Sequence, residues 1–295
     1  MRVSNRSLNE RLLMHIQTSS TRLNETQERV ASGRRVQRAS DDPFAANRSI
    51  QARSDRNVIE QRVRTINLAQ SELAVTESAV VSLSNVLTRA QALSVQADSA
   101  GLDGSARNQI AAEVDELINE ALQVANSSHG GRRIFGGHQA GTAPFVPDVP
   151  GLPATVTYQG DAGLVLREIG DGEQIAVNLD GNALFDGAFT SLIAFRDGLR
   201  ANDRTAINVA ATAIGAEIEV ALQARGDIGA RVRRLDIVSE RLQGDDERLR
   251  GLVAELEEVD LTSEVVELQM RDMAFQAALS ATGRSLNMSL LDYLR

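Results

Sequence analysis

A chain of 295 residues holds one large domain or two to three small ones, and its net charge of −9 offers no basic field to draw nucleic acid or an anionic membrane surface. All 31 basic residues are arginine, which excludes a Walker-type phosphate loop and Schiff-base chemistry; the absence of cysteine removes thiol nucleophiles, disulfides and cysteine-ligated zinc. With two Tyr, seven Phe and no Trp, aromatic residues contribute little core, so burial falls to Ala, Leu, Val and Ile, a composition suited to long thin helices.

The first element carries Leu12, Ile16, Ser19, Leu23, Thr26 and Val30 at alternating steps of four and three, which predicts a helix. It stops at Gly33, a candidate C-cap, with Arg34 and Arg35 beside the negative end of its dipole. The stretch SGRRVQRASDDPFAAN, residues 32–47, then reads as a phosphate cradle, a metal site or a helix-to-helix joint. The joint is locally sufficient: Ser40 or Asp42 is placed to cap the next helix, and Pro43 falls in its first turn, where a missing N–H costs nothing. It leaves unexplained the crowding of Arg34, Arg35, Arg38, Asp41 and Asp42, which complementary contacts with neighbouring subunits would account for.

A second stripe runs Ile66, Ala69, Leu73, Thr76, Val80, Leu83, Leu87, Ala90, Ser94, Ala97. AGLDGS breaks it, and Ile110, Val114, Leu117, Ala121 and Val124 predict a third, shorter helix. Four of the five prolines then fall between 144 and 153. Residues 136–189 hold short β-rich runs separated by Gly-Asp, Asp-Gly and Gly-Asn turns, the signature of hairpins. From Ile207 to Val259 the 3–4 alternation returns and, as one helix, would reach roughly 80 Å, with Gly226 and Gly229 as its weak points. The register slips at VDLTSE, where Val265, Leu268, Phe275, Leu279, Leu286 and Leu290 start a last stripe. Charges interrupt each apolar run short of membrane length, and residues 1–20 contain no continuous apolar segment of the secretory kind.

These patterns predict a mainly α fold: a long antiparallel coiled-coil bundle formed by both chain ends, with a small inserted β domain. No catalytic centre emerges. His15, His129 and His138 lack ligand spacing, no GxSxG or GxGxxG is present, and the acid pairs Asp41-Asp42 and Asp245-Asp246 lie at helix boundaries or on helix surfaces. A hydrolase hosted by the β insertion would need His138, Asp161 and Asp171 to converge. Association is the chemistry that remains, with no metal and no cofactor expected.

Several longer stretches together resemble the flagellin superfamily, and within it the hook–filament junction branch. They are RLNETQERVASGRRVQRASDDPFAA near the start, ARNQIAAEVDELINEALQVANSSHGGRRIFGG at 106–137, GDIGARVRRLDIVSERL at 226–242, and the terminal FQAALSATGRSLNMSLLDYLR. RRIFGG, the SDDP proline and YQGD favour the junction branch over a filament-forming flagellin, the alternative; Arg132, where the branch usually carries Tyr, departs from the pattern. The resemblance implies a non-enzymatic structural adaptor, exported through the flagellar type III apparatus to the extracellular flagellum. Its partners would be neighbouring copies in a ring, the other hook-associated junction protein, flagellin, and an export chaperone that masks the C-terminal helix. It implies a terminal assembly domain from residues 1–45 and 261–295 that orders only when neighbours cover it. A helical rod from 46–135 and 190–260 and a β insertion at 136–189 complete the expected division. The expected assembly contacts are the five loop charges and the apolar stripe from Val265 to Leu290.

Overall fold

The computed structural model describes the backbone of residues 2–99 and 103–293 and the side chains of residues 10–99 and 103–284. The helices are α1 (Arg2–Ser32), α2 (Pro43–Ala97), α3 (Gly104–Ala125), α4 (Gly181–Arg200), α5 (Arg204–Glu257) and α6 (Leu261–Tyr293). Short strands β1 (Ser128–His129), β2 (Arg132–Arg133), β3 (Phe145–Pro147), β4 (Val156–Tyr158), β5 (Leu166–Gly170) and β6 (Glu173–Ala176) lie between α3 and α4. They form three separate antiparallel pairs, β1–β2, β3–β4 and β5–β6. The fold is therefore mainly α with small β hairpins, and it divides into two compact units: residues 1–58 with 244–295, and residues 59–243.

In the unit spanning 59–243, every position of the predicted stripe from Ile66 to Ala97 is buried, Thr76 and Ser94 included. Each of those hydroxyls is satisfied by a backbone carbonyl of its own helix, at Glu72 and Gln91 respectively. On α5, Ile207, Ala210, Ile214, Ala221, Ile228, Leu235, Val238 and Leu242 are buried in turn. α2 and α5 run antiparallel here: Gln70 meets Asp236, Glu77 meets Arg225, and Asp98 meets Arg204. α5 is helical straight through Gly226 and Gly229. α3 packs against α4. There the buried Arg196 donates to the Pro153 carbonyl at 2.6 Å and stands 3.6 Å from Asp115, which also accepts from Arg200 at 2.5 Å.

Three sequence expectations change. Residues 181–189, expected inside the β insertion, instead open α4. Asp180 accepts the Asn182 N–H as an N-cap, and Leu184, Phe185, Ala188 and Phe189 form the buried side of that helix. The few aromatics, expected to contribute little core, are concentrated into one. Phe135, Phe145, Tyr158, Phe185 and Phe189 meet with ring centroids 4.8 to 6.1 Å apart, joining the hairpins to α4. Charge does not break every apolar run either. Residues 205–224 carry only Glu217 and Glu219, so α5 is long and apolar enough to cross a membrane by length and composition. Its Ile207, Ala210, Ile214 and Ala221 are buried within the unit.

In the other unit, α1 packs against α6. The first turns of α2 meet the last turns of α5 through Arg56–Asp246 at 2.7 Å and Arg53–Glu257. Its buried apolar side chains among the described residues are Leu23, Val36, Ala45, Ala46 and Ala52.

Candidate assembly interface

The loop between α1 and α2 begins at Gly33, whose N–H still donates to the Arg29 carbonyl at 2.9 Å while its φ of 69° turns the chain out of the helix. A side chain is disfavoured in that left-handed conformation, which is why glycine ends α1. The following residues run beside the end of α5: Arg34 bridges Glu258, the Arg35 N–H donates to the Glu257 carbonyl at 2.6 Å, and the Val259 N–H donates to Gly33 at 3.1 Å. Val36 is buried against Ala45 and Ala46, with Leu256 beside them.

The two aspartates hold the rest. Asp41 accepts the N–H groups of Arg38 at 2.9 Å and Gln37 at 3.1 Å, and these bonds keep its carboxyl below the usual carboxylate range. Asp42 caps α2, accepting the Ala45 N–H at 3.0 Å; that bond and then the Arg35 guanidinium lower its pKa as well. Of the two capping candidates in the sequence, Asp42 serves and Ser40 turns to Asp41. Arg35 donates to Asp42 at 3.2 Å and to the Leu256 carbonyl at 2.8 Å. Arg34 reaches Glu257 at 3.9 Å, and Arg38 stands 3.7 Å from Glu28. All five predicted loop charges thus come together around one turn.

The acids that receive them were not legible in the sequence. Glu257 is buried and takes Arg53 as well as Arg34; its only sequence signal is a carboxylate beside Leu256, at the edge of an apolar stripe. Glu264 accepts from Arg29 at 2.6 Å and ties the start of α6 to the end of α1 across 235 residues of sequence. Glu25, Glu28, Glu264 and Asp41 face Arg29, Arg35 and Arg38 across a cleft of about 510 Å³.

Along α6, Val265 and Leu279 are exposed by 40% and 46%, and Leu268 and Phe275 are half-buried. Leu286 and Leu290 lie on α6, and their side chains fall outside the described residues. A second apolar row, missed in the sequence, follows Val266, Met270, Met273 and Ala277, all exposed, Met273 by 62%. Its 4–3–4 spacing was the available signal. On α1, Leu13 and Met14 are exposed as well. The apolar surface of α6 therefore extends around more of the helix than α1 covers.

Among the described residues no group of three or more His, Asp and Glu is placed to hold a metal. His138 meets Asp161 through its backbone N–H at 2.9 Å, as Gly163 does at 2.7 Å, whereas Asp171 pairs with Arg62. Asp161 is thereby a loop-holding acceptor with a lowered pKa, the His138 N–H being the largest cause.

The N-terminal helical region of bacterial flagellins matches residues 3–140, and their C-terminal helical region matches residues 211–294. Flagellar hook-associated protein 3 of Salmonella typhimurium is 24% identical over the full length of both chains. The protein of that name from Escherichia coli is 25% identical over 67% of this chain, which spans 61% of it. The crystal structure of the flagellar junction protein FlgL from Legionella pneumophila has the same fold, with a TM-score of 0.62 at 15% identity, covering 72% of this chain and all of that one. Two helical regions at opposite ends of the chain, in this order and folded together, place it plainly: the chain belongs to the flagellin family.

Proposed function

We propose that this chain is a structural adaptor of the bacterial flagellum, joining the hook, through the other hook-associated junction protein, to the flagellin filament. The observation that carries the reading is α6, whose second apolar row stays exposed after α1 has packed against it. Such a surface costs free energy in water and is released from it when further helices close over it. The names borne by the relatives supply the context in which that closure takes place. The adaptor works by shape and contact and carries no catalytic role.

The same reading assigns residues 1–45 and 261–295 to assembly, residues 46–135 and, with the whole of α4, 181–260 to a rod, and residues 136–180 to the insertion. Before assembly, the apolar face of α6 is the segment that an export chaperone would shield. A chain free of cysteine suits export in an unfolded state through the flagellar apparatus, because no disulfide has to be undone. Deletion of the gene followed by electron microscopy tests the proposal. Hooks without filaments, with flagellin shed into the medium, are expected; normal filaments would end it. Long filaments grown from the purified chain alone would assign it to the filament instead.

A further inference from the structure

Most of the charges around the α1–α2 loop are engaged by their own chain, and the few that are not single out a contact. Asp41 and Asp42 accept backbone N–H groups, Arg35 is held by Asp42 and Leu256, and Arg29 is held by Glu264. Arg38 differs. Its side chain is 72% exposed, and Glu28, itself 54% exposed, stands 3.7 Å away, beyond hydrogen-bond distance. Both open onto the 510 Å³ cleft. Only one other ion pair among the described residues is both longer than 3.6 Å and at least half exposed at each end. It is Arg64–Glu60 on the outer surface of α2, at 3.9 Å, with exposures of 68% and 50%.

We propose that the cleft of one copy receives the Glu60–Arg64 pair of a second copy, so that Arg38 meets Glu60 and Arg64 meets Glu28. This inference rests on the assembly reading above. Two loose pairs of nearly equal span, set face to face with opposite sense, close into a ring of four charges in which each has two neighbours of opposite sign. Neither pair surrenders a hydrogen bond in the exchange, since neither has formed one within its own pair. Exposed pairs are weak because water screens them, and the same charges attract more strongly once a neighbour excludes that water. Arginine suits the exchange, because its planar fork donates to two carboxylates or grips one with both edges. The loop that carries Arg38 is already held by the left-handed Gly33 and by the Asp41 and Asp42 bonds, so docking has no loop backbone to order there.

Charge exchange tests this in a strain whose own copy has been deleted. One variant combines Glu28→Arg with Arg38→Glu, a second combines Glu60→Arg with Arg64→Glu, and a third carries all four changes. Each double exchange preserves the pair inside its own copy while reversing what it presents to a neighbour. Either alone is expected to abolish filaments and swimming without moving the thermal unfolding of the purified chain, and the fourfold variant is expected to recover both. Wild-type swimming in either double variant overturns the proposal, as does a fourfold variant that stays immotile. A double variant with a lowered melting temperature shows that its pair serves its own chain, and overturns the proposal equally. Failure of the adaptor reading appears separately, as filaments on the uncomplemented deletion strain. The same variants are then compared by sedimentation of the concentrated chain, where the same pattern of loss and recovery is expected and any other overturns the contact.

Discussion

Replacing Met273 by aspartate tests the uncovered row of α6 at its most exposed large side chain. The side chain is 62% exposed, so the single copy already lacks most of the burial that methionine offers. Full burial of such a side chain is worth about 1.5–3 kcal/mol, which leaves about 1–2 kcal/mol to be gained when a neighbour covers it. Aspartate forfeits that gain and adds an unpaired carboxylate to the interface, costing about 3–5 kcal/mol more. The sum, at least about 4 kcal/mol per contact, weakens association by roughly a thousandfold. Within one copy the same change touches mainly solvent, and it should lower stability by less than about 1 kcal/mol, most of that from helix propensity. Swimming, filament number and immunolabelling of hook ends would be scored beside thermal unfolding of the purified chain. Met273→Leu, which keeps the apolar surface, should behave as wild type. Incorporation of Met273→Asp at wild-type levels would show that this row is not covered in the assembly.

Two further perturbations address the unit spanning 59–243. Burial, and then the nearby Asp186, push the Glu217 carboxyl above its ordinary value of 4.5, at a place where a Cβ on Gly187 of α4 would overlap it. The folded chain therefore holds that proton more readily than the unfolded chain. Its contribution favours folding at acid pH and is lost as pH rises from about 4.5 through the raised value. Glu217→Gln should raise stability at neutral pH and flatten that decline in urea unfolding at stepped pH; an unchanged profile would refute it. Phe185 is fully buried, with Phe135, Phe145 and Phe189 at 4.8, 5.4 and 6.1 Å. Phe185→Ala should cost about 3–5 kcal/mol in denaturant unfolding, and a loss below about 1 kcal/mol would show that the cluster does not hold the hairpins to α4.

The long helices were legible because burial on one side of a helix imposes its period on the residues directly, as Ile66 to Ala97 show without exception. α4 was not, because Asp180, Gly181 and Asn182 satisfy a hairpin turn and a helix start equally well. What decides between them is the set of rings waiting across the interface, and those come from residues 135, 145 and 158. The loop shows the same division. Its cap and its proline are local chemistry, so Pro43 could be placed from sequence alone and the cap narrowed to Ser40 or Asp42, between which the structure chooses Asp42. Which carboxylate each arginine meets depends on chain brought back from far away: Glu257 lies 204 residues beyond Arg53, and Glu264 lies 235 beyond Arg29.

The two units differ in what they bury, and the difference carries the functional argument further than any single contact. Residues 59–243 hold the aromatic cluster and the buried stripes of α2 and α5. Residues 1–58 and 244–295 bury, among the described side chains, Leu23, Val36 and three alanines, while Leu13, Met14, Leu261, Val266, Met270 and Met273 face water. Alanine contributes little transfer free energy, and paired helices without a filled seam are marginal in water. The ion pairs Arg29–Glu264 and Arg53–Glu257 fix which helices meet, yet partly exposed pairs add little net stability. On the adaptor function proposed above, a unit built this way would take its remaining stability from neighbours. Folding of the terminal helices and joining of the assembly would then be one equilibrium, and the expected outcome is that a substitution on α6 is felt as failed incorporation long before it is felt as an unstable monomer.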